Sequence, residues 1–226
     1  MASATRPFLP LERRAGVAAV CFWIFIGASA LYAFGLGVGF SQGIRIYGSD
    51  SGYRGPWALL AFMLMTIAAV VLLVDFVVCV ITFLMWLHRA YDNLPALGVT
   101  DRRWSPGWAV GWWFIPIMSL FRPYQLVKEV WQASAPTASP AWRNQALPDF
   151  FRWWWGLLLL YLIVGVFLER FARAAGGTVS RGVADWLTAI DLLMVFAGMG
   201  AAWCAIRIIH GITARQTQRH QMGAFA

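Results

Sequence analysis

The run from Trp57 to Leu87 most restricts what this chain can fold into, because Asp75 is its only charged side chain. A helix crossing a bilayer needs roughly 20 predominantly apolar residues at about 1.5 Å rise each, and this run exceeds that length. Such a helix has no polar face to turn toward water, so a membrane is the solvent it matches. The whole chain agrees. Its 226 residues are 60% hydrophobic and 12% charged, with 14 Trp and a mean hydropathy of +0.63, far outside the composition of a soluble globular domain. The net charge of +8 does not point to nucleic acid, since the basic residues are scattered between apolar blocks instead of forming a dense run.

Three more apolar blocks accompany this one. The expected helices cover about 15–40, 57–93, 150–171 and 186–210, the second stopped by Leu94-Pro95. The first follows Arg13 and Arg14 and is longer than the roughly 7–15 residue core of a cleavable signal, so it reads as a retained helix. Gly35 and Gly39 in the first helix, and Gly198, Gly200, Ala201 and Ala202 in the last, are spaced for close helix packing. Residues 1–14 form a basic lead, 15–212 a single membrane domain and 213–226 a basic tail. Short external loop composition marks 41–56, and a Pro, Ser, Ala and Thr-rich loop marks 135–148. Phe150, Phe151 and Trp153 to Trp155 suit an aromatic belt at helix entry.

The stretch Trp104 to Tyr124 is the unusual part. It is uncharged between Arg103 and Arg122, yet Pro106, Gly107, Gly111, Pro116 and Pro123 punctuate it. From Gly107 to Phe121 it offers 15 residues. Pro116 removes a backbone donor mid-segment, and a freed carbonyl in lipid needs a partner inside the protein. A re-entrant or broken segment over about 106–121 is therefore expected, followed by an interfacial helix over about 123–134. Tyr124, Val127, Val130 and Trp131 fall on one face of that helix, and Gln125, Lys128, Glu129 and Gln132 on the other. The positive-inside rule chooses between two topologies. A re-entrant segment puts thirteen Lys and Arg inside and five outside (Arg45, Arg54, Arg170, Arg173 and Arg181), whereas a spanning one divides them nine and nine. The fold expected is thus an all-α integral membrane protein with four transmembrane helices, a Trp/Pro-rich central segment, a cytoplasmic-side interfacial helix and both termini cytoplasmic.

An ionised carboxylate at the depth of Asp75 costs about 2.5–3.5 kcal/mol on insertion scales, so Asp75 should face the helix bundle, be protonated or meet water. At about 100° per residue, Asp75, Cys79, Thr82, Trp86, Arg89 and Asn93 share one stripe. Asp75 is thereby the candidate for proton or cation coupling. Asp191 and Arg207, near opposite ends of the last helix, read as interfacial anchors. His88 and His210 fall at inner helix ends; haem ligation is a minor alternative to solvation there, and no cofactor or metal is expected. Cys21, Cys79 and Cys204 lie in apolar blocks without the close pairing of metal ribbons. No nucleophile-elbow, zincin, phosphate-loop or paired-carboxylate motif occurs, so no catalytic residue is named.

Trp86-Leu-His-Arg89-Ala-Tyr-Asp-Asn93, then Trp104-Ser-Pro-Gly-Trp-Ala-Val-Gly-Trp-Trp-Phe-Ile-Pro-Ile and Phe121-Arg-Pro-Tyr-Gln with Glu129-Val-Trp131, resemble the bacterial membrane family catalogued as domain of unknown function 4328. The likeness is dense from about Trp86 to Trp131. It implies a bacterial inner membrane and one core module, and it carries no activity, substrate or cofactor. The function expected is an accessory or binding role, with anionic lipid or a membrane partner engaged by Trp86, Arg89, Asn93, Arg102, Arg103, Trp104, Trp108, Trp112, Trp113, Pro116, Arg122 and Tyr124. The alternative is a small oligomeric transporter or channel using Asp75. Membrane lipids, a membrane-protein partner or a second copy of the chain are the expected partners, and nucleic acid is not.

Overall fold

The computed structural model describes residues 7–42, 55–136, 142–175 and 179–224. Among these, six α-helices and no β-strand element occur: α1 (Glu12–Ser41), α2 (Pro56–Asp92), α3 (Trp108–Gly111), α4 (Arg122–Ala133), α5 (Phe150–Ala175) and α6 (Arg181–Ala224). Four of them, α1, α2, α5 and α6, are long and apolar enough to cross a membrane. Residues 43–54 of the first expected loop and 137–141 of the second lie outside the described residues, as do 1–6 of the lead and 225–226 of the tail.

Local chemistry sets the ends of α2. Pro56 stands at its first position, where a missing N–H costs nothing, after Gly55 at a φ of 95°. At the other end Leu94 precedes Pro95, and the chain tightens into a 3-10 turn, Pro95–Leu97, closed by Gly98 at a φ of 79°. That left-handed conformation admits glycine without a Cβ penalty.

The described residues group into two compact units, each assembled from separate stretches. The sequence alone gave no sign of this division. One unit comprises 23–77 and 153–203. Close helix approach occurs there at the expected glycines: a Cβ on Gly35 would lie 2.8 Å from Met65 Cγ, and one on Gly200 2.9 Å from Leu157 Cδ1. Gly198 likewise faces the Tyr161 ring at 3.0 Å. Asp191, expected as an interfacial anchor, accepts a hydrogen bond from Tyr32 Oη at 3.0 Å. Asp75 is 6% exposed, while Leu73 and Val74 beside it are 72% and 60% exposed, so the acid faces into this unit.

The other unit comprises 1–22, 78–152 and 204–226. It holds the N-terminal part of α1, the C-terminal part of α2, the central segment, α4 and the C-terminal part of α6. Here α6 does not stop at 210. Ile208, Ile209, Ile212, Thr213 and Gln216 continue one buried stripe, so the helix runs through the stretch expected to be a tail. The expected aromatic belt also divides: Trp153 is 64% exposed, whereas Phe151 and Trp154 are buried in their own units. Phe151 packs edge-on against Trp131 with ring centroids 5.1 Å apart.

Candidate functional site

The central segment is a folded module and not a straight helix. Pro106 and Gly107 open a turn in which Trp108 N–H donates to Ser105 O at 3.0 Å, and α3 follows for a single turn. A 3-10 turn, Trp112–Phe114, then meets Ile115, whose φ of −94° and ψ of 111° are extended. Pro116 favours this, because its ring disfavours the helical region for the residue before it. The Pro116 carbonyl accepts from Ser119 Oγ at 2.7 Å, and Ser119 N–H reaches Ile115 O at 2.7 Å. The carbonyls of Ile115 and Pro116 at the break are thus satisfied locally.

The module's path is recorded by its contacts with α2. It leaves beside Tyr91, whose hydroxyl accepts from Trp104 N–H and donates to Trp104 O, both at 3.0 Å. Trp113 lies edge-on to Phe83 at 5.6 Å. The chain then returns, and Glu129 on α4 stands 3.4 Å from the same Tyr91 hydroxyl. Eight helical residues separate Tyr91 from Phe83, about 12 Å along the axis.

Within the module Trp108 and Trp112 stack at 4.1 Å, Trp104 meets Trp112 edge-on at 6.4 Å, and the Arg122 guanidinium lies 5.4 Å from the Trp112 ring centroid. These four expected residues form one assembly. Arg122 also donates to Gln125 Oε1 at 3.0 Å. Arg102 lies over the Tyr91 ring at 5.7 Å, and Arg103 is exposed while its amide donates to Glu129 Oε1 at 2.9 Å. Tyr124 is half-buried, and Pro116 is exposed at the turn. Past Pro116 and around it, Phe114, Ile115, Ile117, Leu120 and Phe121 are 70%, 38%, 69%, 40% and 45% exposed, an apolar ridge.

Other expected residues point inward. Trp86 is fully enclosed, its Nε1 donating to Thr213 Oγ1 at 3.2 Å. Asn93 is 2% exposed; its amide accepts from Leu9 N–H at 3.1 Å, donates to Leu9 O at 2.8 Å and reaches Gln216 Oε1 at 3.3 Å. Arg89 is half-buried and forms no hydrogen bond or ion pair among the described residues. His88 is half-buried on α2, and His210 is exposed on α6. Asp75 belongs to the other unit.

The face assignment of α4 needs correction. Glu129 and Gln132, expected on an outward polar face, are 4% and 5% exposed. The helix is enclosed on that side as well: Gln132 Nε2 donates to Arg143 O at 2.9 Å and Gln145 O at 2.7 Å. Trp142–Asn144 is tied in turn to the module's entry, where Asp101 pairs with Arg143 and accepts from Trp142 Nε1 at 3.3 Å. The hydrogen bond from Arg143 holds the Asp101 carboxyl below the usual carboxylate range. Burial pushes the Glu129 carboxyl up, against the opposing pull of the Arg103 amide. Its Oε2 is buried without a hydrogen-bond partner.

Residues that the sequence reading passed over close the other end of α4. Arg215 donates to Trp131 O at 3.3 Å with its guanidinium 3.9 Å above the Trp131 ring, and Arg219 donates to Ala133 O at 2.8 Å and Ala135 O at 3.2 Å. These are cations on the carbonyl end of a helix, where its dipole favours them. Gln216 Nε2 bridges Ala90 O at 2.9 Å and Ser134 Oγ at 3.0 Å. The i, i+3 continuation of the α6 apolar stripe through Thr213 and Gln216 was the signal that could have found them. Among the described residues no group of three or more His, Cys, Asp or Glu side chains is placed to hold a metal.

No curated protein and no solved structure matches the chain. The family model described as Domain of unknown function (DUF4328) matches residues 57–214, well over half of the sequence and all of the module, and the chain belongs to that family.

Proposed function

We propose that the chain is a bacterial inner-membrane accessory or binding protein whose central module re-enters the cytoplasmic leaflet and engages anionic lipid. The observation that carries this reading is the exposed ridge of Phe114, Ile115, Ile117, Leu120 and Phe121 standing beside Arg122 and Trp112. Contiguous exposed apolar side chains rimmed by polar groups mark a membrane or partner surface. Full burial of such a side chain is worth about 1.5–3 kcal/mol, against about 1 kcal/mol for a basic residue near an anionic surface. The ridge therefore holds the module in lipid, and the arginines choose which lipid. The stacked tryptophans keep both in register.

The test is native mass spectrometry of protein extracted gently from its own membranes. Wild type is expected to retain anionic phospholipid, and the double replacement Arg89→Gln with Arg122→Gln is expected to retain less of it with no loss of zwitterionic lipid. Equal retention of both classes by the two proteins would sink the reading. A second reading, a small oligomeric transporter or channel, rests on the inward-facing Asp75. It predicts that Asp75→Asn abolishes proton or cation flux in proteoliposomes while the protein stays folded.

A further inference from the structure

We infer that a groove between α1, α2 and α3 holds one anionic phospholipid, with its phosphate on Arg14 and His88. This rests on the reading above that this end of the helices lies at the cytoplasmic leaflet, and it names a site to which none of the module's own arginines belongs. The groove encloses about 330 Å³ and is lined by Arg14, Ile81, Leu84, Met85, His88 and Val110. Two kinds of surface meet in it. Arg14 is anchored by a single hydrogen bond from Nη1 to Met85 O at 2.9 Å, which leaves its other guanidinium donors without a partner among the described residues. His88 follows Met85 by three residues, so it stands on the same face of α2, and it forms no hydrogen bond among the described residues.

The remaining walls are aliphatic, and Ile81 and Met85 are 51% and 50% exposed. The groove therefore opens sideways onto an apolar face and not only toward water. A free inorganic anion would satisfy the two nitrogen-bearing side chains and leave these walls bare. A phospholipid satisfies both, its phosphate accepting from the guanidinium fork and its first methylenes lying along Ile81 and Leu84. Fixing Arg14 in advance on the Met85 carbonyl lowers the cost of ordering it when lipid arrives.

The test uses the full chain in detergent, titrated with phosphatidylglycerol, phosphatidylcholine or inorganic phosphate and read by native mass spectrometry. Wild type is expected to bind one phosphatidylglycerol per chain ahead of any further lipid. Arg14→Gln with His88→Gln should weaken that first event about tenfold or more, the loss expected when charged hydrogen bonds go. Ile81→Trp, which fills the groove and keeps both polar groups, should weaken it as well, and melting curves confirm that each variant is folded. Arg89→Gln with Arg122→Gln should leave the first event in place and lose only later ones. The inference is overturned if the first lipid persists in both groove variants, or if phosphate alone competes for it. If the groove variants bind normally while Arg89→Gln with Arg122→Gln loses lipid, the groove fails and the module reading stands. If wild type binds no anionic lipid, both fall.

Discussion

Glu129 carries a penalty that should be visible in solution. Its carboxyl is buried, Oε1 accepts from the Arg103 amide, and Oε2 has no partner. Desolvation raises its pKa in the folded protein above the 4.5 of an open chain. The native state then binds the proton more tightly than the unfolded state. The contribution to stability is full below the unfolded value and is lost as pH rises through the folded one. Wild type is expected to lose thermal stability over that window, and Glu129→Gln, which keeps the Oε1 acceptor without a charge, is expected to flatten the loss. A melting series from pH 4 upward in detergent checks this, and parallel pH profiles for the two proteins would contradict it. The sequence suggested the opposite surroundings for this residue, because helical periodicity grouped it with Gln125 and Lys128 and could not register Trp142–Asn144 folding back over that face.

At the scale of elements, Asn93 joins segments that are distant in sequence. Its amide pairs with both backbone groups of Leu9 ahead of α1 and touches Gln216 of α6, while Gln216 reaches α2 and the end of α4. Asn93→Ala would strand the two backbone groups of the exposed Leu9 and the buried Gln216 Oε1, at about 1–3 kcal/mol in all with water reaching Leu9. The specific signature is faster amide exchange at Leu9 together with a lower melting temperature. Unchanged exchange at Leu9 would remove this linking role. How much of this was legible follows from the range of each signal. In the stripe Asp75, Cys79, Thr82, Trp86, Arg89 and Asn93, set by the period of α2, four residues are buried and Thr82 and Arg89 are half-buried. The four long helices follow from apolar length, and the break at Pro116 from proline chemistry. What Asn93 faces depends on Leu9 and Gln216, positions that no local period relates to it. The division of the module's residues into the Trp104, Trp108, Trp112 and Arg122 stack and the enclosed Trp86 was illegible for the same reason.

For the whole molecule the decisive matter is which side of the membrane each end of the module occupies. Four helices qualify as spans, and the module adds only short turns broken at Ile115 and Pro116. Its contacts run from Tyr91 to Phe83 and back to Tyr91, about 12 Å along α2, and a hydrocarbon core is about 30 Å thick. The re-entry proposed above requires a segment with that path to enter one leaflet and leave by the same face. The charge count argues likewise, thirteen basic residues against five for a returning segment and nine against nine for a crossing one. Single cysteines placed at Ser105, Phe114 and Gln125, in a background where Cys21, Cys79 and Cys204 are replaced by Ala, turn this into a measurement. With an impermeant maleimide, Ser105→Cys and Gln125→Cys should label from the cytoplasmic side of inverted vesicles and stay unlabelled in right-side-out ones. Phe114→Cys, at the ridge, should resist from both sides until detergent is added. Labelling of Ser105→Cys and Gln125→Cys from opposite faces would mean that the module crosses the bilayer. The arginines at its two ends would then face different leaflets, and a common anionic-lipid surface for Arg103 and Arg122 would be impossible.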